Sequence, residues 1–121
     1  MDEGRPIFLQ IAERIENDII SGALPEEAQV PSTNEFAAFH RINPATAGKG
    51  VNLLVDDGIL YKRRGIGMFV TEGARARILA VRRERFRTQY VSPLLAEAEK
   101  LGIDREQVAE MVRGVREGAT R

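Results

Sequence analysis

Residues 30–70 read VPSTNEFAAFHRINPATAGKGVNLLVDDGILYKRRGIGMFV, and this stretch decides the fold. Ser32 can accept from the free amide of Glu35 while the Glu35 carboxylate reaches back to the Ser32 amide, so a helix is predicted to start at about Thr33. Phe36, Ala37 and Phe39 are expected on its inward stripe, and the chain then turns through His40-Arg41-Ile42 without a glycine. Asn43-Pro44 is a second helix entry, because asparagine caps exposed amides and proline at the first helical position lacks only a hydrogen that had no partner. This second helix is predicted to run to Asp57, with Gly58 as its stop. Ala47, Gly50, Val51 and Leu54 should face the first helix, leaving Ala45, Thr46, Gly48, Lys49 and Asn52 outward. Ile59–Lys62 and Met68–Thr71 read as short strands joined by Arg63-Arg64-Gly65-Ile66-Gly67, a glycine-tipped basic hairpin. The sum is a helix-turn-helix with a wing. Small and hydrogen-bonding side chains on the second helix suit insertion into a DNA major groove, and Arg63 or Arg64 can reach phosphates or a minor groove beside it.

Outward from this stretch, Ile7, Ile11, Ile15, Ile19 and Ile20 repeat at helical spacing, which predicts a helix over about residues 7–21 ended by Gly22. After the Glu72-Gly73 joint a basic helix is expected from about Ala74 to Val91, with Ser92-Pro93 as a fresh cap and a kink or break there. Gly102 ends the next apolar run; Asp104 then caps a last helix with Gln107 as its return partner, and Ile103 can staple on Val108. Leu79, Phe86, Tyr90, Leu94, Ala98 and Leu101 form a stripe too long for one helix to hide, and Val108, Met111, Val112 and Val115 give the last helix an apolar side. A twofold dimer is the commonest way to cover such a face. The expected organisation is a mainly α chain: residues 1–71 a winged helix-turn-helix, residues 72–121 a helical dimerisation tail.

Composition narrows the function. A chain of 121 residues is one domain's worth, short enough for oligomerisation to add much of its stability. The absence of cysteine excludes a disulfide framework and thiol chemistry, and fits a reducing compartment. No apolar run approaches the roughly 18 residues of a membrane span, and the opening residues carry acids in place of a signal peptide, so a cytoplasmic location without a membrane partner is the expectation. Formal net charge is zero, but its distribution is uneven: residues 1–39 carry 2 basic and 8 acidic side chains, residues 40–71 carry 5 and 2, and residues 72–121 carry 11 and 8. The positive charge thus includes the proposed reading surface, and affinity for a polyanion follows this local face.

In order and spacing, several pieces resemble the GntR-type bacterial transcription regulators. Pro6-Ile7-Phe8-Leu9-Gln10-Ile11 is similar to the family's opening, Pro31-Ser32 to its helix entry, Asn43 and Thr46 to its recognition-helix start, and Gly65-Ile66-Gly67-Met68-Phe69-Val70 to its wing. A tail of some fifty residues resembles the short YtrA-type branch, in which two tail helices dimerise. The resemblance implies a sequence-specific regulator, in the first instance a repressor, acting as a homodimer on a palindromic double-stranded operator. Three positions depart from the commoner pattern: Asn34 and Gly48 stand where many members carry arginine, and Pro44 where a basic residue is common. Asn34 cannot make the bidentate arginine contact to guanine, which weakens any transfer of base specificity.

The DNA-contact candidates are Asn43, Thr46, Lys49 and Asn52 on the recognition helix, Ser32 and Asn34 as phosphate anchors, and Arg63, Arg64 and Gly65 on the wing. The dimerisation candidates are Leu79, Phe86, Tyr90, Leu94, Ala98, Leu101, Val108 and Met111. Arginines 75, 77, 82, 83, 85 and 87 read either as a DNA-facing extension or as a solvated face with local ion pairs, the second being commoner for a charged helix. Phe8, Phe36, Phe39 and Phe69 are assigned to the core. With His40 the one histidine and no cysteine, neither a metal cluster nor a Cys-His pair can be built, and no cofactor is expected. Asp56-Asp57 sits at a helix end where successive residues face apart, and Gly65-Ile66-Gly67 lacks the lysine of a phosphate loop, so an enzyme is not expected. The alternatives are a sensor whose small-molecule effector binds at a domain or dimer interface, and a winged-helix protein-interaction module.

Overall fold

The computed structural model describes residues 4–115; residues 1–3 and 116–121, the two ends of the expected domains, lie outside the described residues. The chain divides into two compact parts after Ala80.

In the first part, helix α1 (Ile7–Ser21) buries Ile11, Ala12, Ile15 and Ile19 and closes on Gly22, which takes the left-handed conformation at φ 91°. Helix α2 (Thr33–His40) begins at the expected capping box: Ser32 Oγ accepts from the Glu35 amide at 3.1 Å, and the Glu35 carboxylate accepts from the Ser32 amide at 2.9 Å. The turn without glycine is made by Arg41 at φ 56°, whose amide donates back to the carbonyls of Ala37 and Ala38. Helix α3 (Pro44–Asp56) starts with Asn43 Oδ1 accepting from the Ala45 amide at 2.7 Å. Ala47, Gly50, Val51 and Leu54 are its buried residues. Strands β1 (Leu60–Arg63) and β2 (Gly67–Val70) pair antiparallel, with Leu60 opposite Val70 and Arg63 opposite Gly67. β1 starts one residue later than expected because the Ile59 amide is used to close α3, donating to the Leu54 carbonyl at 2.9 Å.

Gly50 is where α3 rests on α1. A Cβ there would lie 2.7 Å from the Phe8 carbonyl oxygen and 3.0 Å from Ile11 Cβ, so glycine is required by close approach and not by backbone angle. Helix α4 (Ala74–Phe86) adds Ala74 and Ile78 to the same core, at 0% and 2% exposure. The core of this part therefore extends past Thr71, where the wing ends and the expected division was placed.

One core assignment is corrected. Phe39 is 79% exposed, its ring edge-on to His40 at 4.9 Å. In an eight-residue helix the buried stripe is set by Phe36 and Ala37, and a residue two after Ala37 turns away from it. Phe8 and Phe69 are half-buried, and Phe36 is buried.

In the second part, of the kink or break expected at Ser92-Pro93, a break does not occur, and Ser92 is not a fresh cap. Arg87–Val91 form a π-helical turn between α4 and helix α5 (Ser92–Lys100), and Ser92 has helical angles of φ −62° and ψ −46° instead of a capping conformation. Its amide donates five residues back, to the Arg87 carbonyl. Proline has no amide to donate and its ring crowds the carbonyl four residues before it; the wider turn shifts that register and lets the helical path continue. After Gly102 at φ 73°, helix α6 (Arg105–Gly114) opens on the expected capping box, with Asp104 accepting from the Gln107 amide at 2.8 Å and Gln107 from the Asp104 amide at 2.9 Å. Ala98 and Val108 are buried within this part, so those two members of the expected dimer face are already covered in a single chain. No helix among the described residues is long and apolar enough to cross a membrane.

Candidate nucleic-acid interface

The cap that starts α2 also places Ser32 beside the wing. Ser32, Thr33, Lys62, Arg63, Arg64 and Gly65 line one groove, with Gln29 and Met68 on its walls. The Ser32 amide is committed to Glu35 and its oxygen accepts from the helix, which leaves the hydroxyl hydrogen as its means of anchoring a phosphate. Asn34 is exposed outside this groove, so the two α2 candidates do not converge.

On α3 the outward face is as expected. Lys49 and Asn52 are exposed and Thr46 is half-exposed, three residues apart along one ridge. Lys49 Nζ lies 4.1 Å over the Phe8 ring, which gives the ammonium a defined position at the helix surface. Gly48 differs from Gly50: a Cβ there would meet Thr33 Cγ2 at an ordinary 3.6 Å, so nothing in the fold itself demands glycine.

The wing is held from behind by residues 27–30. The Glu27 amide donates to the Val70 carbonyl at 2.8 Å, the Val70 amide to Ala28 at 3.0 Å, and the Val30 amide to Met68 at 2.9 Å. The Tyr61 hydroxyl donates to the Glu27 carboxylate at 2.5 Å. That hydrogen bond raises the phenol above its ordinary pKa, with desolvation and the carboxylate's negative charge acting the same way. Arg63 sits over the Phe69 ring at 5.4 Å. Among the described residues no carboxylate forms an ion pair with Lys49, Lys62, Arg63 or Arg64. These four cations are available to a polyanion.

The arginine run on α4 divides in a way the sequence did not suggest. Arg75 Nε donates to the Ile20 carbonyl in the last turn of α1 at 2.9 Å, and Arg77 donates to the Asp57 and Gly58 carbonyls at the end of α3, at 2.9 and 3.4 Å. Both satisfy carbonyls that a helix end leaves without partners, where a cation is favoured. Arg87, at the start of the π turn that follows α4, instead pairs with Glu84 on α4. Lys62 and Gln29 are groove residues missed by the sequence reading; the first was signalled by the adjacent arginine pair, the second by nothing local. Among the described residues no cluster of histidine or carboxylates could hold a metal.

The model of bacterial regulatory proteins of the gntR family matches residues 8–70. The transcriptional repressor YtrA of Bacillus subtilis is 24% identical over 110 residues, covering 91% of this chain and 84% of its own length. A GntR-family transcriptional regulator from Listeria monocytogenes has a similar fold, with a TM-score of 0.77, 27% identity and coverage of 96% of this chain and all of the other. The DNA-binding domain of AraR, solved in complex with operator ORR3, superposes on 59% of this chain with a TM-score of 0.54 and 28% identity, over 86% of its own length.

Proposed function

From the premise that the chain belongs to the gntR family of bacterial regulatory proteins and is a DNA-binding transcriptional regulator, we propose that it acts in the cytoplasm as a homodimeric repressor on a palindromic operator. Helix α3 enters the major groove and presents Thr46, Lys49 and Asn52, with Asn43 at its entry; Ser32 and Asn34 anchor on phosphate. Arg63, Arg64 and Gly65 follow the adjoining backbone or minor groove. The observation that carries this reading is the groove that brings Ser32 to the wing arginines beside an α3 surface bearing Lys49. Repression is supported by similarity to YtrA along most of the chain.

Dimerisation is assigned to the second part, where Phe86, Tyr90, Leu94, Leu101 and Met111 are exposed and Leu79 at its approach is half-buried. Two recognition helices reading the same face of the duplex would meet half-sites about 34 Å apart. Any small-molecule effector must bind the DNA-competent and incompetent dimers unequally to act at all.

The test is selection of bound duplexes from a random pool at near-physiological salt. Enrichment of a palindrome supports the proposal, whereas a single half-site or no motif overturns the palindromic dimer. Arg64→Ala is expected to weaken binding several-fold and to lower the salt slope by about one ion. Unchanged slope and affinity in a salt titration would remove Arg64 from the contact surface.

A further inference from the structure

A two-stranded hairpin with cations at its tip is marginally ordered on its own, and every degree of freedom frozen on binding subtracts from affinity. The backbone ladder from residues 27–30 ends with the Val30 amide on the Met68 carbonyl, short of the tip. Beyond that point one side chain continues the support: Gln29 Nε2 donates to the Ile66 carbonyl at 3.0 Å, across 37 residues of sequence. Ile66 belongs to the turn that carries Arg64 and Gly65, closed by its own amide on the Arg63 carbonyl at 2.9 Å. Gly67 makes room for this reach. A Cβ there would lie 2.5 Å from Gln29 Nε2, and Gly67 itself holds φ 144°. Its glycine therefore serves the passage of the amide as well as the hairpin.

We propose that Gln29 is a positioning residue for DNA binding, which fixes the wing tip so that Arg64 meets the duplex backbone without first being ordered. This rests on the reading of the wing as a DNA contact. Gln29 is exposed, so its amide could hydrogen-bond to water at little cost; what its contact with Ile66 adds is orientation of the turn. A brace of this kind acts through the arginine and should lose its value when the arginine is gone.

The experiment is a double-mutant cycle of Gln29→Ala and Arg64→Ala, with each protein titrated against a mixed-sequence duplex at low salt and its thermal midpoint recorded. Gln29→Ala is expected to weaken binding about five-fold in the native background, the worth of one hydrogen bond, and less than about two-fold with Arg64→Ala, at an unchanged midpoint. Equal losses in both backgrounds would mark Gln29 as an independent contact or a general brace and overturn the proposal, as would no loss in either. If Arg64→Ala itself leaves binding unchanged, the wing reading falls and this inference with it. If Arg64→Ala weakens binding and Gln29→Ala does not, only the inference fails.

Discussion

Replacing Gly50 by valine is expected to destabilise the protein by about 3 kcal/mol, the upper range for overpacking a close helix crossing. The atom that a Cβ would meet first, at 2.7 Å, is the backbone oxygen of Phe8, which cannot rotate aside as a side chain would. Relief requires α1 and α3 to separate, and separation exposes Ile11, Val51 and Leu54 along their seam. Gly48→Ala on the same helix has the opposite expectation. Its Cβ has ordinary room, and alanine is favoured over glycine in a helix interior by up to about 1 kcal/mol. Urea unfolding of both variants at one protein concentration checks the pair. Equal effects would mean that helix propensity governs both sites and that the crossing is looser than described.

Leu94→Glu is expected to convert the protein to monomers at low micromolar concentration in sedimentation, and to weaken binding to a two-half-site duplex by about 100-fold. Leu94 is 48% exposed and lines an apolar groove with Leu101, Met111, Val112 and Val115. A carboxylate there has water in the lone chain but would be desolvated without a partner in an apolar interface. A dimer that persists in this variant would place the interface elsewhere.

Local signals were the legible ones. Both capping boxes, at Ser32 with Glu35 and at Asp104 with Gln107, follow from side chains three residues apart, and Asn43-Pro44 marks the start of α3 for the same reason. Phe39 was misread because periodicity in a short helix does not say which residues find a partner. The π turn before Pro93 was missed because proline alone signals a kink or break; continuing the helix depends on how the preceding carbonyls can shift. Of the candidate site, the grouping of Arg63, Arg64 and Gly65 was readable in the hairpin. Their approach to Ser32 and the bond from Gln29 to Ile66 join residues more than thirty apart, which no local pattern encodes. The carbonyl partners of Arg75 and Arg77, 55 and 19 to 20 residues away, were invisible for the same reason.

Those two arginines bear on how tails can be exchanged between regulators of this kind. A chimera joined where the family match ends, at Val70, would delete the guanidinium groups that close the carbonyl ends of α1 and α3, and would remove Ala74 and Ile78 from the core. A junction after Ala80 keeps all four. The first two turns of α4 thus belong to the compact unit that carries the helix-turn-helix, and a tail exchange that spares its core is expected to be joined after Ala80.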